Sequence, residues 1–337
     1  MNAIRIGVVG LGAMGRQHVR VIRQLEQYEL VAVVDPNPKA RELVLREQPN
    51  VMEYAEPSDL FCSTVEAVVV ASPTWQHGGQ TELFVQHGLH VLVEKPFVLG
   101  MTDIDRLKQV LMTSEVTVLV GHIERFNPAV IALRAYLDTG GLGDLLSFSA
   151  RRVGIARPSV PSANVIYDLA IHDIDVIQFI TGRAPTVIGA RGGLLPGNSL
   201  EDFVHLLLGY GPVAAAVEAN WITPSKSRRL SVTGSGGFAE LDYIRQEVFV
   251  HQGRTEQVGD GENLFSYISE RGDPTRLQID REEPLCRELL HFHDCIKGIS
   301  QPGIAIEEAV KAVECCEVAS EFIRVHNDIR GLDLRRG

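Results

Sequence analysis

The sequence predicts an α/β protein in two parts. A doubly wound, parallel-sheet domain spans residues 1–121, and an α/β domain with a large, mostly antiparallel sheet spans 122–337. Three observations carry this reading. Strand-forming runs alternate with helical spacing as far as Gly121, the pattern of βαβ units. From Pro185 the runs follow one another across short glycine turns, as antiparallel neighbours do. A length of 337 residues favours two domains over one.

Composition narrows the function classes. The chain is 45% hydrophobic and 22% charged, ordinary for a globular protein. A net charge of −11 argues against a nucleic-acid surface. The five cysteines (Cys62, Cys286, Cys295, Cys315, Cys316) form no CxxC or metal-ligand spacing, so reduced thiols in the cytoplasm and no metal are expected. The N-terminus runs into a strand with no separate apolar leader. No uncharged apolar run reaches the ~18 residues of a membrane span.

The first strand, Ile4–Val9, leads into Gly10-Leu11-Gly12-Ala13-Met14-Gly15 and then a helix with Val19, Ile22 and Leu25 in its stripe. That is a GxGxxG between strand and helix. Gly10 permits the tight turn, Gly12 lets backbone approach a pyrophosphate, and Gly15 lets helix pack on strand. The helix N-terminus, with Ala13 and Met14, offers amides to phosphate. The next strand, Leu30–Val34, ends in Asp35, the acid that the dinucleotide fingerprint expects there. Its carboxylate would accept from a ribose 2′-OH and repel a 2′-phosphate, which favours NAD over NADP. Lys39 and Arg41 could oppose this, but Pro36 and Pro38 intervene. These features make the first part a Rossmann domain.

Further strands are predicted at Glu66–Ala71, His90–Val93 and Thr117–Gly121, with helices near Trp75–His87 and Met101–Met112. Ser72-Pro73-Thr74 follows the third strand, at the carboxyl edge where ligands bind. His77 either faces the nicotinamide side or lies on a helix surface. Glu94-Lys95-Pro96 ends a buried strand, and Pro96 stops it. Lys95 there either points into the cofactor crevice or is a surface lysine.

Asn127-Pro128 opens a helix with proline at its first position. The strand near Leu145–Val153 carries Arg151 and Arg152, with Arg157 beyond. Side chains alternate, so only one of Arg151 and Arg152 can face a given site. That one suits a phosphate or carboxylate, or else the pair forms a solvated basic edge. Asn164–Thr181 reads as a single helix ended by Gly182. On it Asp168 and His172 are i, i+4 neighbours, either a base with an orienting partner or a surface pair. Strands follow at Pro185–Arg191, Asp202–Leu208, Val213–Trp221, Arg229–Thr233 and Phe238–Tyr243. Val213, Ala215, Val217, Ala219 and Trp221 form an apolar face, for self-association or for the core. His251–Glu283 is polar with little period and reads as an excursion over the cleft or a subunit edge. Helices at Pro284–Lys297 and Ile306–Val325 end the chain, and the last can pack back on the first domain.

The glycine loop with His18, Ser72-Pro73-Thr74 with His77, Glu94-Lys95-Pro96 and Asp168-x-x-x-His172 together resemble the Gfo/Idh/MocA oxidoreductases along essentially the whole chain. The resemblance implies a Rossmann domain plus an α/β domain, often dimeric or tetrameric through the large sheet. It implies Lys95, Asp168 and His172 as catalytic residues. Ala170 departs from the glycine usual at that position. Gly121–Val130, Asp168–Asp175, Val232-Thr233-Gly234 and Ala239–Tyr243 resemble the branch that oxidises the 3-hydroxyl of UDP-N-acetylglucosamine with NAD.

On that basis, His172 takes the hydroxyl proton, Lys95 stabilises charge on oxygen, and Asp168 orients the group. Gly10, Gly12, Ala13, Met14, Gly15, Asp35, Ser72, Pro73, Thr74, His77, Glu94 and Lys95 would bind NAD. Arg125, Asn127, Arg151, Arg152, Arg157, Tyr167 and His172 would bind substrate. A free polyol such as myo-inositol is the rival substrate, and an NAD-binding redox-sensing regulator the rival without catalysis. A homodimer or homotetramer is expected, with neither nucleic acid nor membrane as partner.

Overall fold

The computed structural model describes residues 3–155, 163–257, 267–271 and 273–327. They form two compact units: one reaches to Phe126 and includes Glu283–Glu314, and the other takes Asn127 onward, Asn164–Glu282 and the residues from Cys315.

The first unit is built on six strands: β1 (Ile4–Val9), β2 (Tyr28–Val34), β3 (Met52–Tyr54), β4 (Ala67–Val70), β5 (His90–Glu94) and β6 (Val118–Gly121). Their order is β3-β2-β1-β4-β5-β6 and every pairing is parallel. This is the doubly wound order, with its switch point between β1 and β4. Helices α1 (Ala13–Ile22), α2 (Pro38–Leu45), α3 (His77–Gln86) and α4 (Thr102–Met112) join the strands. The central strands read as unbroken apolar runs because helices cover both faces; Val68, Val69, Leu92 and Val93 are fully buried. β3 has no sequence signature. It is three residues long at the sheet edge, and two of them are exposed.

The second unit holds α5 (Pro128–Asp138), β7 (Leu145–Val153), α6 (Ile171–Thr181) and strands β8 (Thr186–Gly193), β9 (Phe203–Tyr210), β10 (Val213–Asn220), β11 (Ser227–Gly234), β12 (Gly237–Asp242), β13 (Glu247–Gln257), β14 (Tyr267–Arg271) and β15 (Thr275–Arg276). The strand order is β14-β13-β12-β11-β7-β10-β9-β8, with β15 beside β13. All pairings are antiparallel except β7 with β10. One row across this sheet, Leu208, Ala215, Phe148, Val232, Ala239 and Val250, is buried. Each large side chain in it contributes about 1.5–3 kcal/mol of burial. Val213, Ala215, Val217, Ala219 and Trp221 therefore form a core face, and the opposite face of β10 carries the exposed Ala214 and Ala216.

Two sequence expectations need correction here. His251–Glu283 is not an excursion in its described part: β13 runs through to Gln257, and β14 and β15 pair with it. Backbone ladders hold these strands, and they lie toward the sheet edge, where no apolar period is required. The Asn164–Thr181 helix is not uniform either, because Ile166–Ala170 forms a π turn before α6 begins. Gly182 does end it, in the left-handed region at φ 63°.

Helix α7 (Pro284–Ile296) belongs to the first unit, where Tyr28 Oη donates to the carbonyl of Leu289 at 2.7 Å. Helix α8 (Ile306–Asn327) contributes residues to both units. No described helix is long and apolar enough to cross a membrane.

Candidate active site

The glycine loop is fixed by sterics. Gly10 has φ +87°, and a Cβ there would stand 2.5 Å from the Ser72 amide nitrogen. A Cβ on Gly15 would fall 1.8 Å from the Gly10 carbonyl oxygen. Over Gly12 the added atom meets nothing within 4 Å, so that backbone faces open space into which a pyrophosphate fits. Ala13 and Met14 start α1, whose N-terminus has no side-chain cap. Asp35 lies just past β2 and binds the loop: its Oδ2 accepts from Leu11 N at 2.7 Å and its Oδ1 from Asn37 N at 2.8 Å. Arg41 is turned aside, pairing with Glu53 at 2.7 Å and donating to the Asp35 carbonyl at 2.6 Å. The loop thus fits a dinucleotide carrying a free ribose hydroxyl.

Past β4, Ser72 Oγ donates to Gln80 Oε1 at 2.7 Å, Pro73 precedes a short 3₁₀ turn, and Thr74 is buried. His77 lies neither on a helix surface nor open to solvent. It is 1% exposed, with Nδ1 2.9 Å from the Pro96 carbonyl and Nε2 2.9 Å from the Ser72 carbonyl. Burial lowers its pKa, so the neutral ring has one N–H for two carbonyls. It ties the segment after β4 to the segment after β5.

The end of β5 is charged but not exposed. Glu94 is buried, and its Oε1 is 2.7 Å from Nε2 of the fully buried His18. Burial pushes the Glu94 carboxyl up, but the His18 hydrogen bond, together with the Lys95 charge, outweighs it and holds the group below the usual value. Lys95 is half-buried, its amide donates to Glu94 Oε2 at 3.2 Å, and its bond to Pro96 is cis. Beneath lies a residue that the sequence reading missed. Glu288 of α7 is fully buried, and among the described residues neither carboxylate oxygen has a hydrogen-bond partner. Burial first, and the Glu94 charge second, push its pKa well up. The signal was available: Glu288 sits in the stripe Leu285, Leu289, Phe292, Cys295, where an acid is out of place.

In the second unit, Asn164 starts the Asp–His segment by accepting on Oδ1 from Ile166 N at 3.1 Å and Tyr167 N at 3.3 Å. From Asn164 to Gln178 every residue is buried except Asp168 and His172. Asp168 stands on the π turn and His172 in the first turn of α6. Asp168 Oδ2 accepts from Trp221 Nε1 at 3.0 Å. Sequence reading had Trp221 only as the end of an apolar face. π turns often mark functional positions because they re-aim side chains locally.

Four of the residues offered for substrate, Arg125, Arg151, Arg152 and Asn127, have partners within the protein. Arg125 is buried and pairs with Glu308 at 2.6 Å, within the first unit. Arg152 is buried and pairs through two nitrogens with Asp173 at 2.7 and 3.2 Å, its guanidinium 4.7 Å from the centre of the Tyr243 ring. Arg151 is on the other face of β7, paired with Glu218 at 2.8 Å. Asn127 caps α5 by accepting from Ala129 N at 3.1 Å and donates to the Tyr243 carbonyl at 3.2 Å. Tyr167 is buried, and that burial, with Cys316 and Glu317 nearby, raises its hydroxyl pKa. Arg157 lies outside the described residues. Among the described residues no group of three or more His, Cys, Asp or Glu side chains could hold a metal ion.

Comparison with known proteins identifies the family. Residues 4–122 match the model of the oxidoreductase family with an NAD-binding Rossmann fold, and residues 130–240 match the GFO/IDH/MocA C-terminal domain. UDP-N-acetylglucosamine 3-dehydrogenase of Acidithiobacillus ferrooxidans is 28% identical over 74% of this chain and 78% of its own. Its solved structure superposes with a TM-score of 0.82 at 22% identity, covering 96% of this chain and 99% of that one. The scyllo-inositol 2-dehydrogenase (NAD(+)) of Bacillus subtilis is 25% identical over 99% of this chain and 98% of its own. GenD2 from gentamicin A biosynthesis, solved in complex with NAD, superposes with a TM-score of 0.80 at 19% identity over 96% of this chain and 95% of its own. With both of its domain models matched, the chain belongs to the Gfo/Idh/MocA family of oxidoreductases, with NAD as its cofactor.

Proposed function

We propose that this oxidoreductase oxidises a secondary hydroxyl of a sugar to a ketone, and that the sugar is UDP-N-acetylglucosamine, oxidised at its 3-hydroxyl. One observation carries the chemistry: on an otherwise buried segment, Asp168 and His172 alone are accessible. An imidazole beside a carboxylate suits a general base, because its unperturbed pKa of ~6.5 lies near working pH. The similarity to UDP-N-acetylglucosamine 3-dehydrogenase, in sequence and across nearly the full fold, supports the substrate.

NAD, when bound, supplies the hydride acceptor. His172 takes the proton of the reacting hydroxyl. Lys95 donates a hydrogen bond to that oxygen and stabilises the negative charge developing there. Asp168 orients the hydroxyl with respect to these two groups. Glu94, held ionised by His18, keeps a negative charge next to Lys95. The proposal gives the diphosphate no contact with Arg125, Arg151 or Arg152, since Glu308, Glu218 and Asp173 hold them. It places the boundary between cofactor and substrate work near residues 121 and 122. It also has the chain act in the cytoplasm as a homodimer or homotetramer. Five free thiols support the compartment, and the exposed Leu146, Ile188 and Leu207 on the large sheet support association.

A free polyol is the second reading, favoured by the end-to-end match to the scyllo-inositol enzyme. Incubating purified protein and NAD with UDP-N-acetylglucosamine, UDP-N-acetylgalactosamine, myo-inositol and simple aldoses, while following NADH absorbance, decides between them. Turnover of UDP-N-acetylglucosamine supports the first reading. Turnover of free polyols alone replaces it with the second.

A further inference from the structure

Asp168 stands on a π turn, where the backbone departs from the regular helical ladder that begins at Ile171. A carboxylate in such a place needs an external hold if it is to keep one orientation. Trp221 supplies one. Its indole N–H donates to Asp168 Oδ2 at 3.0 Å, and the indole can only donate, so the carboxylate oxygen is the acceptor. Trp221 is itself fixed. It is 4% exposed, follows directly on β10, and its backbone N–H donates to the Asp202 carbonyl at 3.0 Å. Asp202 is buried too, and its carboxylate accepts from Leu195 N at 2.7 Å and from Asn198 Nδ2 at 2.8 Å. The segment between β8 and β9, the end of β10 and the π turn are thereby joined through one residue, by its backbone N–H on one side and its indole N–H on the other.

A tryptophan this deeply placed would contribute packing whatever its N–H did. The hydrogen bond adds direction: it engages one carboxylate oxygen of the group four residues before His172.

We propose that Trp221 is a positioning residue for the hydroxyl oxidation, holding Asp168 in the orientation in which it works with His172. This rests on the reading that Asp168 and His172 perform the chemistry. Trp221 acts through Asp168 and has no part in holding NAD.

The test is a cycle of Trp221→Phe, Asp168→Ala and the double variant. Each is assayed with NAD and whichever of UDP-N-acetylglucosamine and myo-inositol the wild-type enzyme oxidises. Trp221→Phe keeps an aromatic side chain and removes the donor. It should lower kcat about tenfold, leave the KM for NAD within about twofold, and add no further loss on top of Asp168→Ala. A second readout needs no substrate. The protein has two tryptophans, so a ¹⁵N-labelled sample gives two indole N–H signals, and Asp168→Asn should move one of them while leaving Trp75 in place. If Trp221→Phe does not fold, Trp221 is replaced by its benzothiophene analogue in a Trp75→Phe background, which exchanges only N–H for sulfur; the same tenfold loss is expected.

Wild-type kcat in Trp221→Phe or the analogue, with Asp168→Ala impaired, overturns the proposal and leaves the catalytic reading standing. Losses that multiply in the double variant overturn it as well, since Trp221 would then act by another route. Wild-type kcat in Asp168→Ala overturns it by removing the catalytic reading beneath it.

Discussion

Nε2 of His18 lies 2.7 Å from Oε1 of Glu94, and both groups are buried. The glycine-loop helix and the end of β5 are joined through this contact. Removing the hydrogen-bond partner of a buried carboxylate leaves that group unsatisfied and costs about 3 kcal/mol. His18→Ala should therefore lose about 3 kcal/mol in urea unfolding. Adding Glu94→Gln should recover part of that loss, because the stranded charge is gone. Strictly additive losses would mean that the two side chains are not coupled.

Glu288 predicts an unusual pH dependence. Its folded-state pKa is raised well above 4.5, by burial first and by the Glu94 charge second. Below pH ~4.5 both folded and unfolded chains hold the proton, and the stability linked to it is fully present. As pH rises past 4.5 the unfolded chain releases the proton and the folded chain keeps it, so stability falls until pH reaches the folded value. Glutamine has nothing to titrate. Glu288→Gln should match wild type at pH 4 and melt progressively higher than wild type at pH 6 and 8. A difference that does not change with pH would show that Glu288 does not stay protonated in the folded protein.

The sequence carried the parallel sheet well because its strands are buried on both faces and bounded by turn residues, as in Leu30–Asp35 and His90–Glu94. It failed where backbone pairing alone defines an element. β3 is a three-residue edge strand, and β13–β15 run through polar sequence. The π turn was illegible because Ile166–Ala170 has the same apolar spacing as an α-helix. Individual candidate residues such as Gly10, Asp35 and Glu94 stood out through local motifs. Partnerships were not. Arg125 with Glu308, Arg152 with Asp173 and Trp221 with Asp168 join residues far apart in the chain, and nothing local in an arginine records that a carboxylate already holds it.

The buried Arg152–Asp173 pair gives a further prediction. Its hydrogen bonds use two guanidinium nitrogens, and the Tyr243 ring lies against the same group. Arg152→Ala should cost about 3–5 kcal/mol by stranding Asp173, whereas Arg151→Ala, on the exposed face, should cost under about 1 kcal/mol. Chemical denaturation of the two variants checks this. Equal effects would contradict the opposite facing of the two arginines.

Cofactor choice should turn on Asp35. Its carboxylate is fixed by the Leu11 and Asn37 amides at the end of β2, and Arg41, the nearby cation, is committed to Glu53. A 2′-phosphate brought there would meet a fixed negative charge, with Arg41 already committed to Glu53. Wild type should favour NAD by at least about a hundredfold in kcat/KM, a difference of about 2.7 kcal/mol. Asp35→Ser should narrow that ratio by at least tenfold, mainly by losing affinity for NAD. Unchanged preference in the variant would move the discriminating group elsewhere.

Lys95 separates binding from chemistry. If it stabilises charge that develops on the reacting oxygen, removing it acts on the transition state and little on the ground state. Lys95→Ala should lower kcat by about 10²–10³ while the dissociation constant of NADH, read by fluorescence quenching, stays within about threefold. Lys95→Arg should restore little, since a planar guanidinium cannot place its donors where an ammonium does. The fold should be indifferent, because Glu94 keeps His18 as its partner in every Lys95 variant. Thermal melts of the three proteins check that point directly. A matched loss of NADH binding and kcat would instead make Lys95 part of the cofactor's binding surface, and the charge-stabilising role would have to pass to another group.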